Sequence, residues 1–274
     1  MYGKTCLLKI FKYLMSICVV LALLLSFSGC KGRKAITVAA CETPHTAILK
    51  KCAPILEEAG YKLIVREIDN YTTPNFLLES GEVDANFFQH QPFLDEFNAR
   101  EETNIISVAR VHYEPYAIYS GSCNSLSDLP YGSKIAVPND PTNEARALRL
   151  LEEQGLITLR DGAGLKANKN DIEQNNKNLN IVELEASVIP NALDEVAVAV
   201  INGNFAIAAG LNILDALAID GVDSGAAITY ANLLAVKAEN KDDEAVLALA
   251  RALQSDEIKE YINSTYGGAA ISVE

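Results

Sequence analysis

From residue 35 onward the chain alternates short apolar runs with stretches whose apolar residues recur at helical spacing. Residues 35–40 form an apolar run suited to a buried parallel strand, and 61–68, 83–88 and 105–112 read as further strands. Between them, 42–60, the segment after the polar loop 69–75, and 91–100 read as helices. Pro54 is expected to kink or split the first of these, because its ring clashes with the preceding turn. Strands alternating with helices predict a parallel sheet with right-handed crossovers. The rhythm breaks at Tyr113-Glu114-Pro115-Tyr116 and resumes with a strand at 117–120, a first crossing into a second lobe. There a short strand at Ile135, Ala136 and Val137 leads into a helix with Asp140 as N-cap, Pro141 in its first turn and Gly155 at its end. Leu148, Leu150 and Leu151 give that helix its apolar face. Further strands at 181–184 and 196–201, a polar segment at 161–178 and a helix after Asn202 complete this lobe. A strand at 232–236 crosses back, and helices at 242–253 and 256–266 finish the first lobe. The expected fold class is α/β with two lobes, 35–115 plus 228–274 and 116–227, joined by two crossing strands that serve as a hinge.

The N-terminus changes this picture. Lys4, Lys9 and Lys12 precede an apolar run over 13–27 that is too short to span a membrane, and the run ends in Phe27-Ser28-Gly29-Cys30. That order resembles a bacterial lipobox, with residues 1–29 as signal peptide and Cys30 as the acylated N-terminus of the exported chain. A plain signal peptide or a membrane anchor is the alternative. Net charge is −13, with lysines and arginines scattered, so no nucleic-acid partner is expected, because phosphate binding needs a basic footprint. Cys41, Cys52 and Cys123 have no metal-type spacing and read as buried or free thiols, with a Cys41–Cys52 bridge left open.

Ligands in open α/β sheets bind beyond the carboxyl ends of strands. Collecting those ends gives Tyr71, Phe88, His90, Phe93, Asn139, Asn143, Arg146, Asn202 and, at the return crossing, Asn232. Aromatic rings, amides and one fixed positive charge suit a small zwitterion with an apolar side chain. Each residue alone also has a structural reading: Phe88 and Phe93 as core, His90 as a loop histidine, Asn202 as a turn residue, Arg146 paired with Glu153 or solvent. Gly162–Ala167 fits G-x-G-x-x-A but follows a charged segment and reads as a surface loop. The three histidines, His45, His90 and His112, have no metal-like companion at short spacing, and no catalytic triad, metal site or cofactor motif stands out.

Several ordered segments, Asn70-Tyr71, 86–94, 137–143 with 145–148, 200–202 with Phe205-Ala206, and 230–232, together resemble the methionine-binding lipoproteins of the NlpA/MetQ type. The resemblance spans about residues 36–268. It implies a periplasmic-binding-protein fold (type 2-like) that closes over its ligand, and the solute-binding role of an ABC importer, working with a permease and an ATPase. The ligand would be L-methionine, its D-isomer or a methionine-containing dipeptide. Tyr71, Phe88, His90 and Phe93 would line the side-chain pocket, Arg146 with Asn143 would take the α-carboxylate, and Asn202 and Asn232 would hold the polar end. Glu114 could neutralise the α-ammonium. Phe93 and Phe205 stand where the family often has tyrosine. The protein would be anchored to a membrane by acyl chains such as palmitate, on the periplasmic or cell-surface side. The rival readings are an exported two-lobed enzyme and a surface antigen without a transport role.

Overall fold

The computed structural model describes residues 34–221 and 225–273. The predicted signal peptide and Cys30 therefore lie outside the described residues. The first part of the chain lays down β1 (Lys34–Cys41), β2 (Tyr61–Ile68), β3 (Ala85–His90) and β4 (Ile105–Tyr113), with helices Ala47–Glu58, Thr73–Glu79 and Gln91–Glu101 between them. The middle part carries β5 (Ala117–Ser120), β6 (Lys134–Pro138), the hairpin pair β7 (Thr158–Leu159) and β8 (Ile172–Gln174), β9 (Asn180–Leu184), β10 (Val198–Ile201) and β11 (Ala218–Ile219). Then come β12 (Asn232–Lys237), helices Glu244–Leu253 and Asp256–Thr265, and β13 (Ile271–Ser272).

Two larger sheets result. One has the order β13-β4-β12-β3-β1-β2, the other β11-β5-β10-β6-β9. The expectation of a purely parallel sheet is corrected. β1 and β3 are parallel, but β12 enters antiparallel between β3 and β4, and β13 adds antiparallel to β4. A strand returning from the second sheet arrives from the opposite direction, so it can pair here only antiparallel. Its first residue, Asn232, stands opposite both His90 and His112. In the second sheet β10, β6 and β9 are parallel, while β5 and β11 are antiparallel additions.

Each sheet is buried on both faces. On one face of the six-stranded sheet, Ile36 and Val38 pack with Ile48, Leu49, Val246 and Leu249. On the other, Ala39 and Leu233 pack with Leu78 and Leu94. Helix Pro141–Glu153 buries Leu148, Leu150 and Leu151 against β5, β6 and β10. Burying three such side chains contributes about 1.5–3 kcal/mol each, which fixes the helix that carries Arg146. Its start is as expected: the Asp140 side chain accepts the Asn143 N–H at 3.0 Å and Pro141 lies in the first turn.

Two local details differ from expectation. Of the two outcomes expected at Pro54, a split does not occur: the helix is continuous over Ala47–Glu58. Pro54 and Lys50, whose carbonyl loses its partner, both face solvent, so water can satisfy the freed group. The regular helix also starts later than residue 42, because Thr43 is extended (φ −129°, ψ 135°). Cys41, Cys52 and Cys123 are free thiols, so the Cys41–Cys52 bridge is not formed.

Candidate ligand site between the two sheets

One narrow cavity, of about 20 Å3, is walled by Tyr71, Phe88, His90, Phe93, Asn143, Arg146, Asn202 and Asn232 together with Gln89, Glu114 and Gly203. All eight ligand-site candidates are thus gathered in one place, around a space far smaller than an open small-molecule pocket, because the two walls meet across it. Asn139 is not among them; it is exposed and lines a neighbouring cavity. The first sheet supplies the ends of β3 and β12 and the loop before Thr73–Glu79. The second supplies helix Pro141–Glu153 and the turn after β10.

The apolar part is a ring cluster. Tyr71 lies with its centroid 6.0 Å from Phe88, 5.9 Å from Phe93 and 4.9 Å from Phe205, and Phe88 is 5.8 Å from Phe93. These are edge-to-face and tilted contacts of the favourable kind. The Tyr71 hydroxyl donates to Asn204 Oδ1 across the gap between the sheets. Behind these rings Asn75, Asn86 and Gln89 satisfy one another at 2.7–3.0 Å, which holds β3 and helix Thr73–Glu79 in one register.

The amides bridge the two halves. His90 Nε2 donates to Asn143 Oδ1 at 3.2 Å, and His90 Nδ1 accepts the Phe93 N–H at 3.3 Å. Asn202 Nδ2 donates to the same Asn143 Oδ1 at 3.0 Å, and Asn143 Nδ2 is given to the Asp140 carboxylate. Asn143 therefore joins His90 to Asn202, and its amide nitrogen is committed to Asp140 rather than turned beside Arg146. Burial lowers the His90 pKa to about 3, with the Arg146 charge adding to the effect, so the ring is neutral.

Arg146 does not pair with Glu153. Its Nε and Nη2 lie 2.9 and 2.7 Å from Asp220 Oδ2, and Nη2 also donates to the Tyr113 hydroxyl at 3.2 Å and the Glu114 carbonyl at 3.0 Å. The guanidinium carbon sits 5.3, 4.6 and 4.4 Å from the ring centroids of Tyr113, Tyr116 and Tyr230. Asp220 Oδ1 is fixed in turn by the Tyr113 hydroxyl at 2.6 Å and the Tyr116 N–H at 2.7 Å. Burial alone would discharge Arg146, but the Asp220 carboxylate and the tyrosines hold its pKa above the usual arginine value. The result is a permanently charged group in an aromatic cage, partly neutralised and rigid.

Sequence reasoning missed Asp220, Tyr113, Tyr116 and Tyr230. Asp220 lies 74 residues from its partner in an unremarkable loop, and only the fold brings it near. It also missed the pairing of His45, His112 and Glu114, whose donor atoms lie within 4.8 Å of one another although they are far apart or unpatterned in sequence. Glu114 was named, and it does face the cavity. Burial pushes its pKa up, with the neighbouring His45 opposing that shift.

Comparison with known proteins follows the same lines. A family model described as NlpA lipoprotein matches residues 36–273. A crystal structure of a lipoprotein from Ruminococcus gnavus is 51% identical, with a TM-score of 0.87, over 88% of this chain and 100% of that one. A nutrient-binding protein from Burkholderia cenocepacia, described as bound to methionine, is 41% identical with a TM-score of 0.83, over 87% of this chain and 100% of that one. The D-methionine-binding lipoprotein MetQ of Salmonella typhimurium is 41% identical over 218 residues, 78% of this chain and 79% of its own length.

Proposed function

Because this chain belongs to the NlpA lipoprotein family, we propose that it is the solute-binding protein of an ABC importer, holding methionine or a close relative between its lobes for delivery to a permease. The family binds solutes and does not transform them, so the chain is not an enzyme. The observation that carries the reading is the meeting, in one cavity, of an aromatic slot, a caged guanidinium and a buried carboxylate. A zwitterion with an unbranched apolar side chain complements all three. The thioether enters between Tyr71, Phe88 and Phe93, where sulfur–aromatic contacts contribute about 0.3–1.5 kcal/mol each. The α-carboxylate meets the guanidinium of Arg146, with Asp220 holding the other edge. The α-ammonium faces Glu114, and Asn202 and Asn232 complete the polar end.

Lobe 1 is assigned to 35–115 plus 228–274 and lobe 2 to 116–227, in keeping with the strands each sheet draws upon. The two crossings serve as the hinge. Tyr71, His90 and Glu114 belong to one lobe and Arg146, Asn143 and Asn202 to the other, so one ligand touches both and favours closure by its differential affinity. Anchorage is through acyl chains on Cys30, outside the cytoplasmic membrane, with a permease and its ATPase subunits as partners. Among the described residues no helix is long and apolar enough to cross a membrane.

Calorimetry of purified protein against L-methionine, D-methionine and a methionine-containing dipeptide tests this, with mass spectrometry of ligand released on denaturation. One-to-one binding without turnover is expected. Turnover of the ligand would favour the enzyme reading, and absence of binding at micromolar concentration a surface antigen.

A further inference from the structure

Behind the cavity three polar groups are buried together: His45 is 1% exposed, His112 0% and Glu114 5%. Glu114 Oε1 lies 2.7 Å from His112 Nε2 and 3.5 Å from His45 Nε2, and His45 Nε2 is also 3.0 Å from Asn232 Oδ1. With Glu114 ionised, its Oε1 accepts from His112 Nε2 and, together with Asn232 Oδ1, from His45 Nε2, so both Nε2 atoms carry hydrogen. In a neutral ring the other nitrogen then has only a lone pair. Both Nδ1 atoms are indeed buried with no hydrogen-bond partner. Two buried lone pairs are left unsatisfied so that two donors can meet one carboxylate, an arrangement that calls for a reason.

Glu114 is gripped from every side. His112 lies two residues before it near the end of β4, His45 comes from the segment before helix Ala47–Glu58, and the backbone N–H of Asn204 donates from the start of the short helix Gly203–Ala208 that follows β10. A Cβ added at Gly203 would fall 2.6 Å from the Glu114 Cβ, so only glycine lets this turn approach. Yet no fixed cation is spent on the carboxylate. Arg146 donates to the Glu114 carbonyl and pairs with Asp220, and its charge acts on the Glu114 carboxyl only from a distance, opposing the rise in its pKa less than His45 and the Asn204 N–H do. The other titratable groups within electrostatic reach, Cys41, Tyr71 and Tyr266, are not cations.

We propose that His45 and His112 are positioning residues that hold Glu114 as the seat of the ligand's α-ammonium, and that any proton Glu114 holds in the empty site is released to solvent when that ammonium enters. This rests on the amino-acid-binding reading above. The balance is simple: protonated protein and zwitterionic ligand give the complex plus one free proton. An isolated carboxylate in an apolar wall prefers to be neutral, whereas one beside an ammonium prefers to be charged. Burial holds His45 near pKa 4 and His112 near 3, so the proton rides on the carboxyl group rather than as an imidazolium. The two Nε2–H groups then receive the charge when it forms. The cluster packs within the first sheet's own core, since His45 and His112 both stack on Phe87, with centroids at 4.8 and 5.4 Å.

The test is calorimetry of methionine binding in buffers of different ionisation enthalpy, from pH 5.0 to 7.5. Wild type should release protons on binding at the acid end of this range and fewer as pH rises, with Kd tightening by up to tenfold per pH unit over the linked range. The des-amino analogue 4-(methylthio)butanoate should bind far more weakly and release no proton. Glu114→Gln should abolish the linkage. His112→Phe, which removes a donor, should move the midpoint to higher pH, and His112→Gln, which restores one, should bring it back; His45→Phe is the substitute where His112→Phe does not fold. Methionine binding without proton exchange anywhere in this range overturns the inference. No methionine binding at all sinks the functional reading and takes this inference with it.

Discussion

Arg146 and Asp220 allow structural and binding roles to be separated in one experiment. Both are nearly buried, 6% and 7% exposed, and 2.7 Å apart. Removing one partner leaves the other charge without compensation, which typically costs about 3–5 kcal/mol. Arg146→Met should strand Asp220, and Asp220→Leu should strand Arg146. For a domain of this size about 1 kcal/mol moves Tm by ~2–4 °C, so each single change should lower it by about 6–20 °C. Replacing both removes both buried charges at once. The Tyr113 hydroxyl, the Tyr116 N–H and the Glu114 carbonyl then lose partners, at about 1–3 kcal/mol for each left unsatisfied. The double variant should still be more stable than the sum of the singles predicts, by about 0.5–3 kcal/mol. It should nonetheless bind methionine at least about thirty-fold more weakly, since ~2 kcal/mol or more of carboxylate recognition is lost. Denaturant titration of the four proteins gives the cycle, and calorimetry gives the affinities. Additive stability changes would show that the pair is not an electrostatic unit. Unchanged affinity in a folded double variant would show that Arg146 does not touch ligand.

Three further outcomes are expected. Phe88→Ala should shrink the preference for methionine over alanine, which in wild type should be at least ~2 kcal/mol from the unfilled slot at ~0.8 kcal/mol per CH2-sized group; competition calorimetry reads it, and equal binding of alanine by wild type would refute the slot. Acid should destabilise the fold: His45, His90 and His112 are held near pKa 4, 3 and 3, so below pH 6.5 the unfolded chain takes up protons that the folded chain does not. Their contribution is intact above pH ~6.5 and is lost as pH falls toward 4, with a slope approaching about 1.4 kcal/mol per pH unit for each; the raised pKa of Glu114 acts in the opposite sense, and a flat stability profile from pH 7 to 5 would refute the assignment. Cys30→Ser should release the protein from membranes in a host that matures lipoproteins, because durable anchoring takes two acyl chains; unchanged fractionation would place the anchor elsewhere.

Local rules carried far in this chain and stopped at recognisable points. The alternation of strands and helices, the Asp140–Pro141 helix start and the strand-end residues could be read because each depends on neighbours within a few positions. The insertion of β12 between β3 and β4 could not, since its run Asn232–Lys237 would look the same at a sheet edge. The site was legible as a set of residues but not as a set of partners. Arg146 could be seen as a charge near a strand end, whereas its pairing with Asp220 depends on where the second crossing returns. His45 and His112 look unremarkable in sequence because their shared carboxylate belongs to the break at 113–116, which marks the crossing without stating what it presents.

The way charge is spent in the site separates what is fixed from what is adjustable. Arg146 is cancelled in large part by Asp220, and its cage of three tyrosines keeps it charged whatever the solvent does. A guanidinium cannot change its protonation, so the carboxylate end of a ligand is met by a constant field. In the proposed binding mode the opposite end would be met by Glu114, a buried group whose donors His45 and His112 are themselves neutral. A ligand with only a carboxylate would leave Glu114 buried and unanswered. A ligand with only an amine would leave the open edge of Arg146 unanswered. Each mismatch strands a polar group in a cavity that His90–Asn143 and Tyr71–Asn204 close directly across the gap. Such stranding discriminates more strongly than a missing apolar contact does, because an unfilled slot forfeits only transfer energy. In the proposed binding mode, selection for the zwitterion would therefore reside in this pair of opposed charges, and selection among amino acids in the rings.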